Sequence, residues 1–279
     1  MTELIHTASD GTPLHAVTLG TGDSVVVLLH GGGPDHHSLL PLAALLADRH
    51  TVVLPDVRGY GRSRCADPLR HTWARYTADL VSLLDRLGTA QAVVGGTGLG
   101  STITLRAALA HPDRIRAGIL IGVEDIEDDK AGEAQAAFLD AFAERALTKG
   151  LEAAWAPVLD MFPPVIGAAV RDAIPRSDAA SVAAAATIGH DRAFRDVTEL
   201  RALRAPVLVV PGTDARHPTA LAEQVARTLP RGRLAPVAVC EALRTPEDLA
   251  RAVGPAIRDF LAETDTWARP ARSGHAASP

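Results

Sequence analysis

The sequence predicts an α/β fold in which a mainly parallel, eight-stranded sheet is flanked by helices. Three observations predict it: apolar runs alternate with amphipathic segments, polar or glycine-rich residues follow several of those runs, and one run enters the glycine-crowded turn of residues 95–101. Strands that helices cover on both faces appear as continuous apolar runs. In such sheets the functional residues lie beyond the carboxyl ends of the strands.

The strands and helices follow from the spacing of apolar residues along the chain. The predicted strands are residues 4–6, 14–19, 24–29, 51–54, the run that begins at residue 92, and residues 117–123, 206–210 and 234–239. The predicted helices are residues 39–47, about 76–87, the helix that ends at residue 110, and residues 219–229 and 246–261. A turn at Asp10-Gly11 joins the first two strands.

The pattern changes between about residues 128 and 203, where alanine-rich amphipathic segments punctuated by prolines replace the strand-like runs. This change predicts a helical cap, residues 128–203, inserted after the sixth strand into a core of residues 1–127 and 204–263. The last segment, residues 264–279, is polar and contains Pro, Gly and Ser, and it is predicted to be a frayed tail.

Composition narrows the possible classes of function. A net charge of −5 and a hydrophobic content of 47% describe an ordinary globular chain, and without a basic excess we expect no nucleic-acid partner. No apolar run approaches the roughly 18 residues of a membrane helix, and no signal peptide is recognised. We therefore expect a cytoplasmic protein with reduced cysteines and a small-molecule ligand; its oligomeric state stays open, with a homodimer as one option.

The glycine-crowded turn has two possible registers, and sterics distinguish them. A sharp bend between a strand and a helix requires small residues two positions before and two positions after its apex. With Thr97 at the apex one of these residues is Leu99, which would clash, whereas with Gly98 at the apex they are Gly96 and Gly100. The apex is therefore predicted to be Gly98.

Four motifs occur in an order that resembles the α/β-hydrolases of the esterase, epoxide hydrolase and proline iminopeptidase kind. They are His30-Gly31-Gly32-Gly33, residues 56–63, the glycine turn and Gly212-Thr213-Asp214. The resemblance extends over residues 4–261. It implies the α/β-hydrolase fold, a triad of nucleophile, acid and histidine, and an oxyanion hole of backbone N–H groups.

Transferred residue by residue, the resemblance is partial. It implies that the backbone N–H groups of Gly33 and Leu99 form the oxyanion hole and that Asp214 is the acid. Gly98 takes the nucleophile position and has no side chain, and residues 240–245, where the family histidine is expected, contain no histidine. Since a hydroxyl without a base is a poor nucleophile, these two vacancies predict that the chain does not form an acyl-enzyme.

Other polar side chains at strand ends are candidates for acid–base chemistry. His37 follows the glycine loop, Glu124 ends the sixth strand, and His190 lies where the cap returns to the core; with Asp214 they form the predicted catalytic set. His217 is interpreted as part of a structural turn. Asp56 and Arg58 are predicted to form a buried charge pair.

These residues leave several functions open. The first is an enzyme without a covalent intermediate, such as an isomerase, cyclase, lyase or direct water-attack hydrolase, acting on a small apolar or carbonyl-containing molecule. The second is a catalytically inactive protein that binds a small ligand. The third and fourth are an ester hydrolase that uses an unrecognised histidine and, on the Gly96-Thr97-Gly98 pattern, a nucleotide-binding domain. We predict no cofactor and no metal site, since no paired ligand spacing occurs.

Overall fold

The computed structural model describes residues 1–126 and 128–267 of the chain. Within these residues eight strands form one sheet. The strands are β1 (Thr2–Thr7), β2 (Pro13–Leu19), β3 (Ser24–Leu29), β4 (His50–Pro55), β5 (Ala92–Thr97), β6 (Ile115–Ile121), β7 (Val207–Val210) and β8 (Gly232–Leu234).

The spatial order of the strands is β1-β2-β4-β3-β5-β6-β7-β8. β2 pairs with β1 and with β4 in antiparallel fashion, and the pairs from β4 onward are parallel. The predicted mainly parallel sheet is confirmed. Because the strands from β3 to β7 run in one direction, their carboxyl ends meet along one edge, which is where a site is expected.

Nine α-helices accompany the described part of the sheet: α1 (Leu40–Leu46), α2 (Trp73–Arg86), α3 (Leu99–Ala110), α4 (Asp129–Lys149), α5 (Leu151–Trp155), α6 (Pro164–Ala173), α7 (Ala179–Ala185), α8 (Thr219–Thr228) and α9 (Pro246–Trp267). Short 3-10 helices are His36–Leu39, Pro68–Arg70, Leu159–Met161, Ile174–Arg176, Ala186–His190 and Val197–Ala202.

The hydrophobic core lies on both faces of the sheet. Alternate residues of β3 and β5 illustrate this: Val27 and Val94 belong to the core cluster that includes residues of α2, α3 and α8, whereas Val26 and Val93 belong to the one that includes residues of α1 and α9. Each such valine is fully buried, and burying one side chain of this size contributes roughly 1.5–3 kcal/mol. Coverage on both faces fixes the sheet rigidly and leaves its carboxyl edge to be filled by loops.

The segment from α4 to the 3-10 helix Val197–Ala202, hereafter the helical insertion (residues 129–202), lies between β6 and β7 in sequence. The side chain of Asp191 accepts a hydrogen bond from Trp73 N (2.8 Å), and Trp73 Nε1 donates to the Asp191 carbonyl (2.6 Å). Arg176 Nε donates to the buried Asp35 carboxylate at 2.7 Å. These bonds join the insertion to the rest of the chain, while the predicted division into core, cap and tail stays a prediction.

Two predicted boundaries are wrong. β8 ends at Leu234 rather than spanning residues 234–239, and the chain rejoins the sheet only at Val239, which bridges Gly212. Pro236 lies between these points and lacks the N–H that a strand would donate. At the other end the closing helix, predicted for residues 246–261, continues as α9 to Trp267, and Thr264 is fully buried within it. Most of the predicted tail, residues 268–279, lies outside the described residues.

The predicted charge pair of Asp56 and Arg58 is also wrong. Arg58 is buried and donates to Asp79 (2.6 and 2.8 Å) and Asp10 (2.9 and 3.2 Å). Asp56 instead accepts from the backbone N–H groups of residues 36 and 62 and contacts two histidine rings. Among the described residues, no helix combines the length and the apolar character needed to cross a membrane.

Candidate functional site

The turn between β5 and α3 has Gly98 at its apex, with φ 49° and ψ −113°. A Cβ added at Gly96 would lie 2.4 Å from the carbonyl oxygen of Leu29, and one added at Gly100 would lie 2.3 Å from the same atom. Only glycine fits at these two positions. The predicted register is therefore confirmed on steric grounds.

The space above Gly98 is occupied by two side chains that come from neighbouring strands. Glu124 follows β6, and His217 follows β7. A Cβ added at Gly98 would lie 2.9 Å from Glu124 Oε1 and 3.4 Å from His217 Nε2. A carboxylate and an imidazole thus converge where a side chain of residue 98 would begin.

His217 is held between two carboxylates. Its Nδ1 lies 3.0 Å from both carboxylate oxygens of Asp214, its backbone N–H donates to Asp214 Oδ1 (3.0 Å), and its Nε2 lies 3.5 Å from Glu124 Oε2. Burial alone lowers the pKa of His217, but the two carboxylates outweigh burial and raise it to about 9. The ring is an imidazolium at neutral pH, and both its nitrogens are donors.

Two glycines make room for this ring. A Cβ added at Gly122 would lie 3.1 Å from His217 Cδ2, and one added at Gly212 would lie 2.6 Å from His217 Cβ. Gly122 has a φ of 67°, which favours glycine, and its N–H donates to the Val210 carbonyl at 2.9 Å. The absence of side chains at Gly122 and Gly212 therefore leaves the space that the His217 ring occupies between the ends of β6 and β7.

Glu124 is ionised, and its side chain is 13% exposed. Arg216 Nε donates to Glu124 Oε2 at 2.7 Å, and the same guanidinium also donates to Asp125. Burial would raise the pKa of Glu124, but the charges of Arg216 and His217 lower it to about 2. At neutral pH the pair of Glu124 and His217 is therefore carboxylate and imidazolium.

Asp125 is held in an unusual backbone conformation beside this pair. Its φ is 62°, and among the described residues it is the non-glycine residue with a positive φ. Thr102 Oγ1 donates to Asp125 Oδ2 (2.9 Å), and Arg216 binds the other carboxylate oxygen. Left-handed backbone costs about 1–3 kcal/mol outside glycine and persists where surrounding contacts impose it, often at functional sites.

A cavity of about 540 Å³ opens above Gly98, between the carboxyl edge of the sheet and the helical insertion. Aromatic side chains of the insertion supply much of its wall, namely Phe138, Phe142, Trp155, Phe162 and Phe194. The Phe162 ring lies 6.2 Å from that of His217, so an apolar wall faces the charged floor. A cavity with apolar walls and a few convergent polar groups is typical of small-molecule sites.

The structure brings together some of the predicted site residues. Glu124 and Asp214 both contact His217 and line the cavity. Leu99, at the start of α3, also lines the cavity. Gly33 is covered by the Trp155 indole, which a Cβ at Gly33 would meet at 2.5 Å. Gly31, Gly32 and Pro34 line the cavity instead, and the role of the Gly33 N–H group stays a prediction.

The two predicted histidines do not join this cluster. His37 does not line the cavity; its side chain is 39% exposed, and its Nδ1 lies 3.0 Å from Asp35 Oδ1. His190 lines the cavity, but it is half-exposed and its Nε2 lies 2.8 Å from Asp140 Oδ1. Neither ring therefore lies with Glu124 and Asp214 at His217, and the catalytic roles predicted for His37 and His190 stay predictions.

His217 is the functional candidate that sequence reasoning missed. The family resemblance places the histidine in residues 240–245, whereas the ring comes from the loop after β7, three residues beyond Asp214. The spacing of an aspartate and a histidine directly after one strand was the available signal. Because such a pair also occurs in turns, the spacing alone did not distinguish the two interpretations.

Two groups of side chains outside the cavity have ligand atoms close enough for a metal ion: His15, His36 and Asp56, and Asp35, His36 and His37. His15 Nδ1 lies 3.1 Å from Asp56 Oδ2, and His36 Nδ1 lies 2.7 Å from Asp56 Oδ1. Since Asp56 also accepts two backbone N–H groups, these contacts are those of a loop held together by hydrogen bonds.

Comparison with known proteins gives consistent matches. A family model described as the α/β hydrolase fold matches residues 24–159. RutD of Variovorax paradoxus, named as a carbamate hydrolase, is 30% identical over 214 residues, which cover 72% of this chain and 78% of RutD. An epoxide hydrolase of Caballeronia sordidicola is 37% identical over 113 residues, which cover 39% of this chain and 34% of that enzyme. The match thus spans about a third of the epoxide hydrolase.

A solved structure is similar over nearly the whole chain. A thermophilic esterase from Thermogutta terrifontis superimposes with a TM-score of 0.78 and is 27% identical, and the alignment covers 95% of this chain and 99% of the esterase. The similarity therefore includes the helical insertion as well as the sheet.

Proposed function

Because the chain belongs to the α/β hydrolase family, we propose that it is an enzyme of this fold that works without a covalent intermediate. In this proposal Glu124 and His217 transfer protons to and from a small carbonyl-containing molecule bound under the helical insertion. The observation that carries the proposal is the position of these two groups over Gly98, 2.9 and 3.4 Å from where its Cβ would be. Family membership supports an enzyme, and the bare apex gives no hydroxyl for acyl transfer.

The protonation states assign the roles of the two groups. With a pKa of about 9 His217 is protonated at neutral pH, so it is not the base. The imidazolium is instead a proton donor for a carbonyl oxygen, and the Glu124 carboxylate is the acceptor for a proton on the adjacent carbon. The electron pair of the broken C–H bond forms a C=C bond, and the carbonyl electron pair moves to oxygen.

Return of the proton to carbon completes an isomerisation, and loss of a neighbouring leaving group completes an elimination.

Substrate binding itself supports the first step, the removal of the proton from carbon by Glu124. His217 Nε2 and Glu124 Oε2 are 3.5 Å apart, a long contact that a substrate oxygen can replace. Once the imidazolium donates to that oxygen, Glu124 loses part of the positive field that lowers its pKa, and it becomes a stronger base.

Exchange of carbon-bound hydrogen with solvent is the direct test. Ketones, esters and lactones that fit a cavity of about 540 Å³ are incubated with the protein in D₂O, and deuterium incorporation is followed by NMR. Glu124→Gln keeps the shape and removes the base, so the exchange rate of an active compound is expected to fall by about 100-fold or more. Glu133→Gln, an exposed residue at the same cavity, is the matched control. An exchange rate that Glu124→Gln leaves unchanged overturns the proposal.

One observation favours a second candidate, a ligand-binding protein without turnover. Glu124 is tied to Arg216, and a carboxyl group with a pKa of about 2 accepts protons poorly. This candidate is favoured if compounds raise the melting temperature while none exchanges hydrogen or is hydrolysed. Hydrolysis of simple esters that His217→Gln abolishes would instead favour the ester hydrolase.

A further inference from the structure

Tyr60 is a buried side chain whose hydroxyl group has no described partner. The residue is 8% exposed, and across residues 1–126 and 128–267 its hydroxyl makes no hydrogen bond. Its backbone is fixed because its N–H donates to Val57 (2.9 Å) and its carbonyl accepts from Ser63 N (3.0 Å). The ring meets His30 edge to face with 5.6 Å between centroids. The hydroxyl oxygen is not among the buried polar atoms that lack a partner, so it is open to the cavity, where a bound group can accept its proton.

The hydroxyl faces the cavity beside the glycine loop. Tyr60 lines the cavity, and its oxygen lies 3.6 Å from the position of a Cβ at Gly32. Burial and the negative charges of Glu124 and Asp125 raise the pKa of Tyr60 well above its usual value. The phenol is therefore uncharged and can donate a proton to an acceptor throughout the neutral range.

Among the residues that the structure describes, each cation at the floor of the cavity is bound by carboxylates. Arg216 binds Glu124 and Asp125, and His217 binds Asp214 and Glu124. Three carboxylates thus face two cations among the described residues at this end. A ligand carboxylate placed here would find each cation engaged and would approach Glu124, which like-charge repulsion opposes.

We propose that the cavity takes an uncharged carbonyl compound with an apolar body, that Tyr60 donates a hydrogen bond to its oxygen, and that the charged floor excludes the corresponding carboxylates. The apolar body would lie against the aromatic wall of the helical insertion. This assignment names a ligand class and a positioning residue, and it rests on the proposed function for the identity of the site.

Equilibrium binding separates this proposal from the proton-transfer chemistry. The probes are methyl esters of phenyl-substituted alkanoic acids of increasing chain length, each paired with its free carboxylate, and binding is measured by calorimetry with the full chain. Each ester that binds is expected to bind at least about tenfold more tightly than its carboxylate. Carboxylates that bind as tightly as the esters, or a series in which no ester binds, overturn the proposal.

The contribution of the hydroxyl is tested with Tyr60→Phe, which removes one oxygen and keeps the ring. Loss of one hydrogen bond is expected to weaken ester binding by about fivefold. Tyr76→Phe is the control, because that hydroxyl lies 2.9 Å from His71 Nδ1 and does not line the cavity. Equal affinities in wild type and Tyr60→Phe refute the assigned donor. If the binding preferences hold while Glu124→Gln leaves hydrogen exchange unchanged, only the proposed function fails.

Discussion

The charge state of His217 makes a prediction that needs no substrate. The pKa of this imidazole rises from 6.5 to about 9 on folding, since Asp214 and Glu124 together outweigh burial. A group whose pKa is higher in the folded state than in the unfolded chain contributes its full stabilisation at pH values below its unfolded-state pKa. That stabilisation is lost as the pH rises through its folded-state pKa.

The magnitude follows from the same two values. A rise from 6.5 to about 9 corresponds to about 3 kcal/mol of unfolding free energy at low pH. The wild-type protein is therefore expected to lose about 3 kcal/mol between pH 6.5 and about pH 9, beyond what its other groups contribute. His217→Gln keeps the size of the side chain but does not titrate, so its stability should lack this decrease.

Urea unfolding of both proteins across this pH range gives the difference directly, because all other titrating groups are shared. Glu124→Gln is an informative third protein: with one carboxylate removed, the pKa of His217 is lower and the decrease is smaller. NMR titration of the His217 ring in each protein reports the pKa independently. Stability curves of wild type and His217→Gln that run parallel would refute the described charge network.

Two further predictions concern the glycine turn. Gly98→Ser alone is expected to crowd the Glu124 carboxylate and to give no esterase activity, whereas combined with Glu124→Ala it brings a hydroxyl within reach of His217. The measurement is hydrolysis of p-nitrophenyl acetate, which should appear in the double variant and disappear when His217→Ala is added. If the double variant gains no activity, the prediction is contradicted. Gly96→Ala drives a Cβ to 2.4 Å from a backbone carbonyl of β3 and should cost about 3 kcal/mol or more in urea unfolding. Gly132→Ala, in open space on α4, is the control and should raise the free energy of unfolding slightly. If Gly96→Ala and Gly132→Ala change the free energy of unfolding equally, the turn is not tightly packed.

The fold and the turn could be predicted because both depend on local constraints. Buried strands require continuous apolar runs, and the apex at Gly98 follows from the size of residues two positions away. β8 was placed wrongly because residues 235–239 are apolar and look like a continuous strand. Ala235 and Val239 do donate to Val209 and Pro211, but Pro236 lies between them and has no N–H to donate. Apolar content alone does not locate the residues that donate to a neighbouring strand.

The candidate site was only partly predictable because it depends on contacts between distant segments. Glu124 and Asp214 could be selected as residues that follow strands, but the position of His217 over Gly98 is set by Gly122 and Gly212, which lie in different loops. Arg58 shows the same limitation. Its partners come from a turn near the N-terminus and from α2, and nothing in the adjacent sequence identifies them.

The crowding between Gly98 and Glu124 also constrains how sequences of this kind can diverge. A hydroxyl at position 98 and a carboxylate at position 124 compete for one volume, so the effect of mutating either codon depends on the other. A chain that carries both must move the Glu124 carboxylate, which Arg216 and His217 hold in place, and one that carries neither has lost both the hydroxyl and the carboxylate. A substitution at either position is therefore expected to change the effect of a substitution at the other.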